Sequence, residues 1–265
     1  MSFTITDTGV AGDTKILTDQ GYLPISSLVD TTIPCWNGIE WSLTTIFKTS
    51  DNQKIATVTT YVGKQLQVGL GHKLSISKIC SNPYTIRDVE ITIDEFRIDD
   101  SISAYSVPVV ISKVDANIKE FHNLLHSTVY WGNPNHNGLQ LYIKNKQEAL
   151  YIIMLLQELG IPVTSIDSSL GYHLSRDKEL QAKYGFVSHS VYIIPIRTKY
   201  VDHLKYLGLQ IDLPNQKDSH VSIGDGIRSI QKQDYNIATY SGIEPKRNRL
   251  MCNGLLIGDS SPINK

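Results

Sequence analysis

The chain has 265 residues, of which 41% are hydrophobic and 19% charged, and a formal net charge of −1. It is long enough for one large or two modest domains with a buried core, and its balance is that of a globular rather than a disordered protein. A charge so near zero excludes a global field that would recruit nucleic acid or an anionic membrane, so any phosphate contact must come from a local patch of Lys and Arg. Residues 1–8 have neither a basic start nor an apolar stretch, so no signal peptide is expected, and the most apolar run, 149–156, is too short to span a bilayer. The three cysteines, Cys35, Cys80 and Cys252, are far apart and odd in number. That speaks against a disulfide framework and against a zinc site. A reducing, cytoplasmic setting with no metal and no cofactor is expected.

The first hundred or so residues read as β structure. Runs rich in Thr, Val and Ile at 14–17, 31–36, 41–48, 54–62 and 65–68 are separated by turn signals at Asp19-Gln20-Gly21, Asn37-Gly38, Ser50-Asp51-Asn52 and Gly63. Asn37-Gly38 between two such runs predicts a hairpin, because both residues tolerate the positive φ of a type I′ turn. Pro24 is expected to open a helical turn that packs Leu23, Ile25 and Leu28 inward. From about Lys113 the texture changes. Helical spacing predicts helices over 117–132 and 146–159, the second with Leu150, Ile153, Met154 and Gln157 on one face and Gly160 as its stop. Strands are expected at 138–143, 162–166, 171–174 and 190–196, and a short helix at 200–207. Around Gln231 short β runs return. The simplest organisation is therefore a mainly β domain, residues 9–112 and 232–259, interrupted by an α+β insertion, 113–231, with flanks at 1–8 and 260–265. Seven of the eight histidines lie in the insertion, and His72 alone belongs to the β parts.

Three stretches carry a family likeness. The first is Gly9-Val10-Ala11-Gly12-Asp13-Thr14, continued by Gly21-Tyr22-Leu23-Pro24-Ile25 and by Trp36-Asn37-Gly38. The second is Gly63-x-x-Leu66-x-x-Gly69-x-x-His72, and the third runs from Glu244-Pro245-Lys246-Arg247 through Cys252-Asn253-Gly254 to Gly258-Asp259-Ser260. In this order and placement they resemble the blocks of an intein, the Hint-fold protein-splicing domain, and the third block resembles that of inteins housed in ribonucleotide reductases. The resemblance covers roughly 9–77 and 237–260. It implies a horseshoe-like, mainly β Hint domain whose substrate is its own flanking segments, the exteins.

The resemblance also assigns roles. The first intein residue supplies a nucleophile that turns the preceding amide into an ester or thioester, and that place is held by Gly9, which has no side chain. His72 matches the histidine that protonates or polarises the scissile amide, a role suited to imidazole near neutral pH. Gly69 stands where a Thr holds the developing oxyanion. Asn248 stands where a His assists the last step, and Asp259 where an Asn cyclises. Ser260 is an acceptable first residue of the downstream flank. Without a nucleophile at Gly9 the usual first step is unavailable. A bypass in which Ser260 attacks the Thr8–Gly9 bond lacks both helpers, so splicing is expected to be negligible, whether by natural decay or by deliberate mutation. Read for local preference alone, Asp13 and Thr14 are turn and strand-start residues, and Cys252 is a small buried hydrophobe.

In the insertion, Leu124 to Gly132 followed by Gly138 to Ile143 resembles the motif helix and strand of a LAGLIDADG homing endonuclease. The acidic residue that would bind a divalent cation before the final Gly is replaced by Trp131, which cannot ligate magnesium. DNA cleavage is not expected. Lys144, Lys146, Lys199 and Lys205 leave weak duplex-DNA binding open beside the reading of a solvated charged surface. A domesticated domain with no catalysis is the third reading.

Overall fold

The computed structural model describes residues 9–60, 64–79, 86–96, 101–102, 107–127, 130–132, 139–162, 167–170, 190–196, 198–210 and 226–258. The chain divides into two compact units, Met1–Ser112 with Gly224–Lys265, and Lys113–Ile223. No described helix is long and apolar enough to cross a membrane.

The first unit is mainly β. Its described strands are β1 (Val10–Ala11), β2 (Lys15–Thr18), β3 (Gly21–Pro24), β4 (Thr32–Trp36), β5 (Trp41–Thr60), β6 (Gln65–Gly69), β7 (Lys73–Ile79), β8 (Ile86–Thr92) and β9 (Ser101–Ile102) from the opening part. β14 (Ile227–Ile243), β15 (Arg249–Cys252) and β16 (Leu255–Gly258) come from the closing part. They form one antiparallel network in the order β14-β1-β6-β5-β4-β2-β15-β16-β7-β8, and β14 also pairs with β5. Strands β5, β6, β1 and β14 therefore close on themselves, which leaves none of the four with an open edge along the paired stretch. Inside lie Ile16, Ile46, Val58, Val68, Leu250 and Ile257, all 2% exposed or less.

The turn chemistry of the sequence is largely realised. Pro24 precedes a 3-10 turn over Ile25–Leu28 with Ile25 fully buried. Leu28 packs against the core while partly exposed. Asn37 and Gly38 do lie in a hairpin, but Trp36 faces Trp41, so the loop is the four residues Asn37 to Glu40 and not a two-residue type I′ turn. Only Gly38 has positive φ there (97°). The Asn37 side chain explains the wider loop: its Oδ1 accepts from the amides of Ile39 (3.1 Å) and Glu40 (3.0 Å). The turn expected at Ser50-Asp51-Asn52 is instead a bulge inside the single strand β5. Thr239 faces Ser50 and Ile237 faces Gln53, so β5 carries an extra residue between them.

The two ends of the chain are tied by the Asn253-Gly254 turn. Both residues have positive φ (48° and 72°), and Cys252 faces Leu255, the geometry of a two-residue hairpin. Beneath it lies the buried Lys64, whose Nζ donates to the Gly254 carbonyl at 3.1 Å.

The second unit contains α1 (Val114–Ser127), β10 (Tyr130–Gly132), β11 (Leu139–Ile143), α2 (Lys146–Glu158), β12 (Asp167–Leu170), β13 (Ser190–Ile196) and α3 (Thr198–Tyr206). Its four strands run antiparallel in the order β10-β11-β13-β12. The helix expected over 117–132 ends at Ser127, and Tyr130-Trp131-Gly132 forms a strand opposite Gln140 to Tyr142. Trp131 thus sits in a sheet and not at the end of a motif helix. In α2 the buried residues include Ala149, Ile152, Ile153 and Leu156, an i, i+3, i+4, i+7 set; of the expected face Ile153 and Gln157 are buried, while Leu150 and Met154 are only half-buried. Asn145 caps its start by accepting from the Gln147 amide, and Gly160 (φ 80°) stops it. The expected strand at 171–174, and most of the one at 162–166, lie outside the described residues.

Candidate functional site

Three of the residues singled out by sequence meet at one place. Val10 pairs with Val68 on one side and Tyr240 on the other, which sets Gly9 beside the end of β6. The Gly69 amide donates to the Gly9 carbonyl at 2.8 Å, and the His72 amide donates to the Gly69 carbonyl at 2.9 Å. The chain therefore passes from the opening block to the histidine through two consecutive backbone hydrogen bonds. β16 arrives alongside, because Ile257 faces Leu74 in antiparallel register and Gly258 is the last described residue of that strand. Asp259 and Ser260 follow it and lie outside the described residues.

His72 is 1% exposed, and among the described residues neither ring nitrogen has a hydrogen-bond partner. Burial pushes its imidazole down to about 4. A histidine expected to serve as an acid near neutral pH is instead held neutral there; what it offers is one N–H donor and one lone pair. Two buried ring nitrogens left without partners are costly in a core.

The space around the two glycines is filled. A Cβ built on Gly69 would lie 2.4 Å from Gln53 Nε2 and 2.7 Å from its Cδ. One built on Gly9 would lie 2.5 Å from Thr49 Oγ1, 2.9 Å from the Tyr240 carbonyl oxygen and 3.0 Å from Thr239 Cβ. These neighbours are bonded to each other: Thr239 Oγ1 donates to Gln53 Oε1 at 2.6 Å and lies 2.7 Å from Thr49 Oγ1. Sequence reasoning missed all three. The one available signal was the strand alternation, which puts Gln53 in phase with the buried Ile55.

The closing block is organised by Glu244, fully buried between the hairpin of β4–β5 and the turn after β14. Its carboxylate accepts from the backbone amides of Arg247 (2.6 Å) and Lys246 (3.1 Å) and from Asn37 Nδ2 (3.3 Å). Burial by itself would raise its pKa. The Ser42 hydroxyl beside it, those two backbone amides and Asn37 outweigh burial and hold the carboxyl below its ordinary value. Lys246 further reaches Glu40 at 2.5 Å. Asn248 is exposed with φ 55°, a left-handed turn position that suits Asn, and its neighbour Arg249 faces Gly258. It thus lies at the end of β15 that adjoins the end of β16, on the solvent side.

Asp13 is exposed in the turn after β1, and the buried Thr14, just before β2, closes that turn by donating its amide to the Ala11 carbonyl at 3.0 Å. Both have structural work to do. Cys252 is fully buried opposite Ile16, and burial raises its thiol well above the ordinary value; Cys35 is likewise buried and pushed up to about 12. Burial and a raised pKa keep both thiols protonated and shielded near neutral pH.

No protein-family model and no characterised relative matches this sequence. Among solved structures the chain is similar to a variant of the Ssp DnaB mini-intein, with a TM-score of 0.46 at 10% identity over 99% of both chains. It is similar also to a DnaB intein from Synechocystis sp. PCC 6803, with a TM-score of 0.43 at 10% identity over 95% of this chain and 98% of that one. The gp41-1 intein gives a TM-score of 0.42 at 9% identity over 96% of this chain and 99% of that one.

Proposed function

We propose that this chain is an intein-derived, Hint-type protein-splicing domain that no longer splices. Residues 9–112 and 224–259 would form the splicing part, eight residues more than the 232–259 expected from sequence because β14 already begins at Ile227, and 113–223 an insertion of homing-endonuclease descent that does not cut DNA. The observation that carries the reading is the convergence of Gly9, Gly69 and His72 through two backbone hydrogen bonds, with the end of β16 alongside. These residues come from separate blocks, and bringing a chain's opening residue, a buried neutral imidazole and the closing strand together serves the rearrangement of peptide bonds at both ends.

In such a mechanism the His72 N–H donates to the amide before residue 9 and weakens it, while a side chain at 9 attacks that carbonyl. The attacking group is absent here, and so is the donor that a side chain at 69 would supply to the developing oxyanion. The substrate is the chain's own flanks, so any residual activity is a single turnover per molecule.

The test is to place residues 9–259 between two reporter domains and follow intact mass. The chain as it stands is expected to stay whole. The variant with Gly9→Cys, Gly69→Thr, Asn248→His and Asp259→Asn, plus Gln53→Ser and Thr49→Ala to make room at 69 and 9, is expected to cleave or ligate. A folded but inert variant overturns the reading.

A second reading rests on the exposed Lys144, Lys199 and Lys205 of the second unit and the half-buried Lys146. They would give at most weak, salt-sensitive duplex binding, for which a gel shift below 50 mM salt is the check.

A further inference from the structure

The glycines at 9 and 69 do not border an empty site. Resting on the reading above, in which they are the vacated positions of a nucleophile and an oxyanion donor, we infer that Gln53 is the residue that keeps this site closed. It acts as a plug whose carboxamide fills the side-chain position at 69 and, through Thr239 and Thr49, the one at 9.

Three observations converge on it. First, the overlaps at the two glycines involve a single bonded chain of side chains. Gln53 stands where a Cβ at 69 would go (2.4 Å), and Thr49 where one at 9 would go (2.5 Å). Thr239 joins the two with bonds of 2.6 and 2.7 Å. Second, the proton order in that chain is fixed. Gln53 Oε1 has no proton to give, so Thr239 must donate to it, and Thr49 must donate to Thr239. The carboxamide is therefore anchored, although the atoms nearest Gly69 are the far end of a flexible side chain. Third, Gln53 is only 5% exposed and directly follows a β-bulge. The bulge at Asp51-Asn52 shifts the register between Thr239 and Ile237, and such a bulge re-aims the side chain that follows it.

The consequence is that the side-chain positions at 69 and 9 are sterically coupled through the plug. Putting a side chain back at 69 must displace Gln53, and one put back at 9 would meet both the Thr49 hydroxyl and the Tyr240 carbonyl, which the Val10–Tyr240 pairing holds in place. The arrangement is that of a site repacked for stability.

The test is a double-mutant cycle read by thermal unfolding of the full chain, with Gly69→Ala, Gln53→Ala and the pair. Each single variant is expected to lower Tm by several degrees, the first by overlap and the second by stranding Thr239. The pair is expected to lie well above the sum of the two losses. Gly12→Ala is the control, because its Cβ would meet Tyr240 Cε2 at 2.8 Å, outside the Gln53 chain, and Gln53→Ala should give it no relief. Additive losses at Gly69 and Gln53, or equal relief of Gly12→Ala, overturn the inference. If Gly69→Ala alone fails to fold, folding of the pair supports the plug and failure of the pair sinks it. The cycle reads stability only, so an inert restored chain would count against the proposed function while leaving this result standing.

Discussion

Lys15 and Asn253, 238 residues apart, grip each other by two hydrogen bonds: the Asn253 amide donates to the Lys15 carbonyl at 2.8 Å, and the Lys15 amide donates to Asn253 Oδ1 at 2.9 Å. Asn253 Nδ2 adds a bond to the Gln65 carbonyl at 3.0 Å. One side chain thus fastens the closing hairpin to both β2 and β6. Asn253→Ala removes both side-chain bonds and places Ala at φ 48°. We expect a loss of about 2–3 kcal/mol in urea unfolding. A change under about 0.5 kcal/mol would show that the clasp is incidental.

Acid should unsettle the fold through His72. Its folded pKa, about 4, lies below the ordinary 6.5, so between those values the unfolded chain binds the extra proton and the folded one does not. Stability is fully present above about pH 6.5, falls as pH drops through the window and levels off below about pH 4, for a total of roughly 3 kcal/mol. His72→Leu replaces two unpartnered nitrogens with apolar atoms. It is expected to unfold near the parent's midpoint at pH 7.5 but with a clearly shallower decline towards pH 4. A slope identical to the parent's would mean that the imidazole is open to water.

Glu244 works in a different window. Its carboxyl is held below the ordinary value, so its contribution is present above about pH 4.5 and is lost only as pH falls through the lower folded value. Glu244→Ala strands the amides of Lys246 and Arg247 at neutral pH. The expected loss is roughly 2–3 kcal/mol by urea unfolding at pH 7, and Glu244→Gln should lose less because it keeps an acceptor. Equal losses for the two variants would assign the effect to shape and not to hydrogen bonding.

The thiols of Cys35 and Cys252 are buried and raised, so iodoacetamide at pH 8 should leave both unmodified in the folded protein and label both in 8 M urea. Peptide mapping distinguishes them. Rapid native labelling of Cys252 would reopen the case for a nucleophile in the closing block.

What the sequence announces and what it hides differ in kind. Residues whose backbone conformation is special announce themselves: Asn253-Gly254, Gly160 and Pro24 each sit at the turn or stop that their chemistry favours. Signals that depend on context are read less well. Ser50-Asp51-Asn52 has the composition of a turn, yet the long β14 pairs across it and absorbs it as a bulge. The apolar spacing of α1 runs on past Ser127 because Tyr130 to Gly132 are apolar or small in a strand as well as in a helix. For the candidate site, Gly9, Gly69 and His72 were legible as motif positions. The plug was not, since Gln53, Thr49 and Thr239 are ordinary residues that acquire meaning only when strands far apart in sequence are laid side by side.

The pairing of Thr60 with Ile227 has a further consequence. The sheet closes a long stretch of chain between two neighbouring strand ends, and the entropy of closing such a loop grows only with the logarithm of its length. Treated as a flexible chain, halving the stretch between Thr60 and Ile227 would change that term by only about 0.6 kcal/mol. The clasped ends therefore set almost no limit on the length of what lies between them.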